Sequence, residues 1–208
     1  MTVLVTLDLG LKSGFTRYDT VTKDLLLGWN NWGKLPAEDR NVAFGEWLEA
    51  IIGGTVLDIH GKVEQTDLAP VDVLGYEKVS FSGPGASGSY IWPQQGILQY
   101  VGRHIAWQGV EVPTLNKFAV GDDPTPIPAR VSEINKALKG KLPKAEKKEL
   151  KTEKGRLLTA RKKVVKQKMI SAAEMWIRKL GHEPPEGLKT DTADSVLVLG
   201  HVLTNSLP

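Results

Sequence analysis

Four carboxylates occupy places where an acid is out of keeping with its neighbours. Asp8 interrupts the apolar run VLVTLDLG, Glu77 stands in VLGYEKV, and Asp191 and Asp194 open the otherwise apolar TDTADSVLVLG. The last two are spaced i, i+3, so on a helix they share one face. Taking an unpaired carboxylate out of water costs several kcal/mol, so each of these needs a hydrogen-bond partner or a cation. Four carboxylates from three segments could converge on divalent cations. Oxygen donors, with no cysteine and only four histidines in the chain, favour Mg²⁺ or Mn²⁺ over zinc. Each acid also has a plainer use. Asp8 at a strand end serves as a turn former and Glu77 can pair with Lys78. Asp191 can cap the last helix, with Asp194 as a favourable first-turn charge. It is the conjunction that argues for chemistry.

Positioning these acids takes an α/β scaffold. Residues 3–9 alternate as a β-strand, and residues 15–18 and 25–29 read as two further strands around a turn at 19–23, a three-stranded meander. Val42, Phe44, Trp47, Leu48, Ile51 and Ile52 are spaced for a helix over 37–52, which Gly53 and Gly54 stop. A buried strand over 71–79 carries Glu77, and the Gly/Ser-rich stretch SFSGPGASGS follows. A helix at 93–107 and a strand at 110–115 complete a mixed five-stranded sheet flanked by helices. The proline-rich DDPTPIP at 122–128 excludes regular structure. Beyond it lie two charged helices broken at 140–143. The second continues through 160–180 with an apolar stripe of Val164, Val165, Met169, Ile170, Ala173, Trp176, Ile177 and Leu180, read as core. The final helix starts near Thr190 and Asp191, after a Pro-containing loop; His201 on it reads as a surface or core residue.

The 208 residues, 41% hydrophobic and 25% charged, suit one globular domain at 1–208 with room for an insertion. The absence of cysteine excludes disulfides, thiolate zinc sites and a cysteine nucleophile. MTVLVTLDLG lacks the basic start and long apolar core of a signal peptide, and no window reaches about 18 uninterrupted apolar residues. A cytoplasmic protein with no membrane partner is expected. The net charge of +3 hides an asymmetry: residues 129–168 hold 15 Lys/Arg against four Glu, or +11, so the rest carries −8. Such a block selects a polyanion, with nucleic acid ahead of a membrane surface because the charged helices lack bulky aromatics opposite the charge. The plainer reading is a solvated helical hairpin. LDLGLKSGF has the look of a phosphate loop of sugar kinases and actin-like ATPases, but the chain is too short for their two domains. SGPGASGS lacks the GK[ST] ending of a nucleotide loop.

LDLG on the first strand, YEKV on the fourth and DTADSVLVLGHVL on the last helix resemble the RuvC-type Holliday-junction resolvases of the RNase H-like superfamily. The resemblance runs from end to end, with 122–154 as an insertion that extends the DNA-binding surface or contacts something else. It implies an RNase H-like fold and a homodimer acting on four-way, branched DNA junctions. It makes Asp8, Glu77, Asp191 and Asp194 the catalytic metal ligands, with two Mg²⁺ or Mn²⁺ ions per site activating water against a phosphodiester. Paired symmetric nicks would leave a 5′-phosphate and a 3′-hydroxyl. By the same resemblance Lys117, in TLNKFAV, and Lys163, in RKKVVKQKM, contact phosphate, and their neighbours Lys162 and Lys166 join them. Phe81, with Tyr90 and Trp92 behind it, is the residue to stack at the junction centre. Other activities compatible with the same residues are an RNase H-like nuclease for flaps, forks or RNA–DNA hybrids, and a junction-binding protein that does not cut.

Overall fold

A computed structural model describes residues 2–78, 88–121 and 127–205. The sheet uses strands β1 (Val3–Asp8), β2 (Lys12–Asp19), β3 (Leu25–Asn31), β6 (Val73–Lys78) and β7 (Ala106–Glu111), in the order β3-β2-β1-β6-β7. β1 pairs antiparallel with β2 and parallel with β6, so β1 is the hinge between the meander and the parallel half. β1 is central and covered on both faces. Val3, Val5 and Leu7 point into one core and Leu4 into the other, the alternation of a pleated strand.

The first core lies under α1 (Arg40–Ile52) and α2 (Gly88–Val101), beside the small hairpin β4 (Val56–Leu57) and β5 (Val63–Gln65). α1 presents Phe44, Trp47, Leu48 and Ile51 at i, i+3, i+4 and i+7, all fully buried. Trp47 contacts Phe15, Trp32 and Phe44 at ring distances of 5.3, 5.9 and 6.2 Å. At its C-terminus Gly54 adopts φ +91°, and a Cβ there would fall 2.0 Å from the Leu68 carbonyl oxygen, so only glycine permits the turn.

The second core lies under α3 (Val112–Val120), α5 (Lys144–Lys179) and α6 (Thr190–Asn205). α6 is the most enclosed helix: Ala193, Val196, Leu197, Val198, Leu199 and Val202 are fully buried. α4 (Ile127–Leu138) packs on the N-terminal half of α5, with Ile134 buried between them. Among the described residues, no helix is long and apolar enough to cross a membrane.

The five-stranded mixed sheet with flanking helices is as expected; several local boundaries are not. The last strand lies at Ala106–Glu111 rather than 110–115, and the segment that follows is α3. Pro113 falls in the first turn of that helix, where the N–H it lacks would have no intrahelical partner, and Leu115 becomes core through a helical face. α2 begins before Pro93 and ends at Val101, so that proline lies inside the helix instead of opening it. Val164, expected in the core stripe of α5, is 40% exposed, whereas Met169, Ala173 and Ile177 are buried as expected. β4 and β5 had no counterpart in the sequence reading. Ile127 and Pro128, expected to be irregular, open α4; residues 122–126 lie outside the described residues.

Candidate metal centre

β1 and β6 run parallel, with Leu7 opposite Tyr76. Asp8 and Glu77 each follow by one residue, so the two acids emerge side by side at the carboxyl ends of adjacent strands. This edge of an open α/β sheet is where ligands collect. Lys78 points to the opposite face and pairs with Glu111 of β7 at 3.0 Å. It is therefore not the partner of Glu77.

The third contributor arrives on α6, whose first turn is fixed by buried polar bonds rather than by apolar packing alone. Thr6 Oγ1 donates to the Ser195 carbonyl at 2.8 Å, and the Thr16 and Ser195 hydroxyls are 2.8 Å apart. Ser195 Oγ also donates to the Thr192 carbonyl, and Thr192 Oγ1 to the Gly28 carbonyl of β3. β2 leaves room for this approach at Gly14. A Cβ there would lie 1.9 Å from the Asp191 carbonyl oxygen. Opposite, the β1–β2 turn is held by Ser13 Oγ and Gln94 Nε2 of α2, both donating to the Gly10 carbonyl.

Carboxylate oxygens of Asp8, Glu77 and Asp194 come within 4.8 Å of one another. Asp191 lies outside this trio, one turn back along α6, but close enough for its charge to act on Asp8 and Asp194. Burial pushes all three carboxyls of the trio upward. Asp8 is raised well above the usual range by burial first, then by repulsion from Glu77 and Asp194 and by its hydrogen bond to Glu77. Burial likewise raises Glu77, and the bond from Asp8 counters it. Asp194 rises to about 7 through burial and the charges of Glu77 and Asp191, with Lys166 of α5 pulling the other way. Asp194 Oδ1 is buried without a hydrogen-bond partner among the described residues. Three converging acids that resist shared ionisation, one with an unpartnered buried oxygen, fit a hard divalent cation with oxygen donors.

Lys166 also lines a cleft of about 960 Å³ between α3 and α5, with Pro113, Asn116 and Lys117 on one wall and Thr159 and Lys162 on the other. Three of the four expected phosphate contacts, Lys117, Lys162 and Lys166, thus share one cleft. Lys163 is exposed and does not line it. Lys117 comes after the last strand, as expected, and projects from α3. Asn116, polar and on the same wall of the cleft as Lys117, had no signal in the sequence because its position depends on that unforeseen helix. Phe81 lies outside the described residues. Tyr90 falls in the first turn of α2, its side chain also outside them, and Trp92 is 51% exposed on the same helix. His201 packs edge-on to Phe118 at 5.5 Å, away from the acids, and burial lowers its pKa.

No family model matches the sequence, and no curated protein matches it. Solved structures do. The chain is similar to Thermus thermophilus RuvC (TM-score 0.52, 10% identity), over 98% of this chain and 96% of that one. It is also similar to T. thermophilus RuvC in complex with a Holliday junction substrate (TM-score 0.51, 10% identity), over 95% of this chain and 90% of that one. An acidic cluster at the carboxyl end of β1 and β6, on a five-stranded sheet of this order and near-complete in its overlap, gives the chain a RuvC-like fold.

Proposed function

We infer that this chain is a metal-dependent endonuclease that resolves four-way DNA junctions. The observation that carries the reading is the convergence of Asp8, Glu77 and Asp194 beside a lysine-lined cleft, on the fold of a protein whose solved complex holds a Holliday junction. Asp8, Glu77 and Asp194 would hold the cation, with Asp191 adding charge or a further ligand. Two Mg²⁺ or Mn²⁺ ions bound there would supply a hydroxide nucleophile at neutral pH and charge neutralisation at the phosphate. Lys166, beside Asp194, and Lys117 and Lys162 along the cleft hold the phosphate backbone by charge. Lys163 reaches phosphate from outside the cleft. Phe81, Tyr90 or Trp92 stacks at the junction centre. Hydrolysis leaves a 5′-phosphate and a 3′-hydroxyl. A junction with two-fold symmetry needs two equivalent sites for paired nicks, so the chain works as a homodimer. It acts as one nuclease domain with residues 122–154 inserted, inside the cytoplasm.

The test is a substrate panel with end-group analysis. A labelled four-way junction, a flap, a linear duplex and an RNA–DNA hybrid are incubated with Mg²⁺ or Mn²⁺. Symmetric nicks confined to the junction, with ligatable ends, are the expected result. Equal cutting of flap or hybrid moves the chain to a broader nuclease activity, and junction binding without cutting anywhere refutes the enzymatic reading.

A further inference from the structure

α5 runs unbroken for 36 residues, and only its C-terminal part is embedded in the protein. There Met169, Ala173 and Ile177 are buried, fixing the rotation of the whole helix. Carried back at 3.6 residues per turn, that same face bears Lys166, Lys162, Lys151, Lys148 and Lys144, grouped within about 60° around the helix axis. All five are exposed, as are Thr152, Gly155 and Thr159 between them. A Cβ at Gly155 would meet nothing within 4 Å.

The acids of this segment lie elsewhere. Glu146, Glu149 and Glu153 project about 100–160° away from Lys148 and Lys166. α4 packs on the side of Glu153: Arg130 binds it at 2.8 Å, and Lys154 Nζ donates to Asn135 Oδ1 at 2.7 Å. Basic side chains occur all round the helix, but the carboxylates that would offset them are confined to one side. The ion pairs seen in the described residues, Lys78–Glu111, Arg130–Glu133 and Arg130–Glu153, use none of the five lysines. α4 is a brace, and the lysine face is left to solvent.

We propose that this face of α5 is a track for one duplex arm of the nucleic-acid substrate, leading its phosphate backbone from Lys144 to the carboxylate cluster at Lys166. The proposal rests on the nuclease reading of that cluster and adds a footprint to it. Lys144 and Lys166 are separated by about 33 Å along the helix, at 1.5 Å per residue. That is about one turn of B-form duplex, 10 to 10.5 base pairs. Between the lysines the face carries Gly155, Thr152, Thr159 and Leu158, and no aromatic ring. It is built to follow a backbone by charge, not to stack on unpaired bases.

The experiment compares junctions whose arms are about 8 and about 20 base pairs long, one shorter and one longer than a helical turn. Affinity and its salt dependence are measured for the wild-type chain, for K144Q/K148Q/K151Q on the track, and for K136Q/K139Q/K141Q on α4 and the following turn. All six lysines are exposed, and both variants lose the same charge. The wild type is expected to bind the longer-armed junction at least tenfold more tightly. The track variant loses that preference, and its slope of log K against log salt flattens by about 2.7, or 0.9 for each of three phosphates. The α4 variant keeps the preference. Equal affinity of the wild type for both arm lengths overturns the proposal, as does an equal loss in both variants, which would mean net charge alone matters. Cutting without arm-length dependence refutes the track and leaves the nuclease reading standing. Arm-length-dependent binding without cutting of any branched substrate does the reverse.

Discussion

At the carboxylate end of the sheet each acid of the trio comes from a different element, and buried bonds from Thr6 of β1 and Thr16 of β2 to Ser195 hold α6 against the sheet. Along α5 the charges come from one helix, and the five lysines of its open face enter no ion pair among the described residues. The two regions meet at Lys166, yet they fail differently. The cluster is a tertiary object: moving α6 relative to β1 by an ångström dismantles it. The lysine face is a local object, set by helical periodicity, so losing one lysine leaves the rest in place. Substitutions around the cluster should be large and non-additive, and those along α5 small and cumulative.

The largest effect is expected at Gly14. Gly14→Val places a side chain where the Asp191 carbonyl lies 1.9 Å from the Cβ position, so the first turn of α6 must shift. A displacement of that order costs about 100-fold or more in cleavage, and thermal melting should fall with it. Measurement of both separates a displaced site from an unfolded chain.

Next in size is Ser195→Ala. It removes the hydroxyl shared by Thr16 Oγ1 and the Thr192 carbonyl. A buried group left unpaired costs about 1–3 kcal/mol, read in urea unfolding, with activity falling more than stability because Asp194 adjoins the altered residue.

Acidity sharpens the contrast further. Burial and neighbouring carboxylates raise the Asp194 pKa to about 7 and push Asp8, and to a lesser degree Glu77, upward in the folded chain. Unfolded, these carboxyls release their protons at lower pH. Between the two, the native state binds more protons, so the metal-free protein loses stability as pH rises from about 4 to 7. Divalent cation should raise the melting temperature more at pH 8 than at pH 5, because binding needs the ionised carboxylates. Asp194→Asn should flatten the profile.

The smallest effects belong to the exposed charges. Lys163→Gln, outside the cleft, should reduce the salt slope of DNA binding by about 0.9 or less. Arg130→Ala breaks the exposed pairs with Glu133 and Glu153 and should leave the thermal or denaturant unfolding midpoint almost unchanged.

This contrast also explains what was legible in the sequence. Asp8 and Glu77 announce themselves as acids within apolar strands; the alternation around Asp8 and the largely apolar run around Glu77 are strong enough to identify β1 and β6. That they stand side by side depends on a parallel register of Leu7 with Tyr76, a pairing across about seventy residues with no local signature. Asp191 and Asp194 look equivalent at i, i+3. Only the pose of α6 distinguishes Asp194, inside the trio, from Asp191, outside it. Pro113 drew the last strand too far along the chain, because an apolar stretch containing a proline suits both an edge strand and a helix's first turn. With that boundary misplaced, α3 was missed, and so was the cleft it forms with α5. The basic block was plain from composition. Its one-sided arrangement was hidden until Met169, Ala173 and Ile177 fixed the rotation of α5.

The central claim is that the carboxylates bind the cation that cuts, while the lysines bind the DNA. It is tested most directly with Asp8→Asn, by measuring four-way-junction affinity and cleavage on the same preparation in Mg²⁺ or Mn²⁺. Cleavage should disappear while binding is kept or strengthened, since a metal ligand and a negative charge near phosphate are both removed. Undiminished cleavage by the variant, or loss of binding along with cutting in a folded protein, would contradict it.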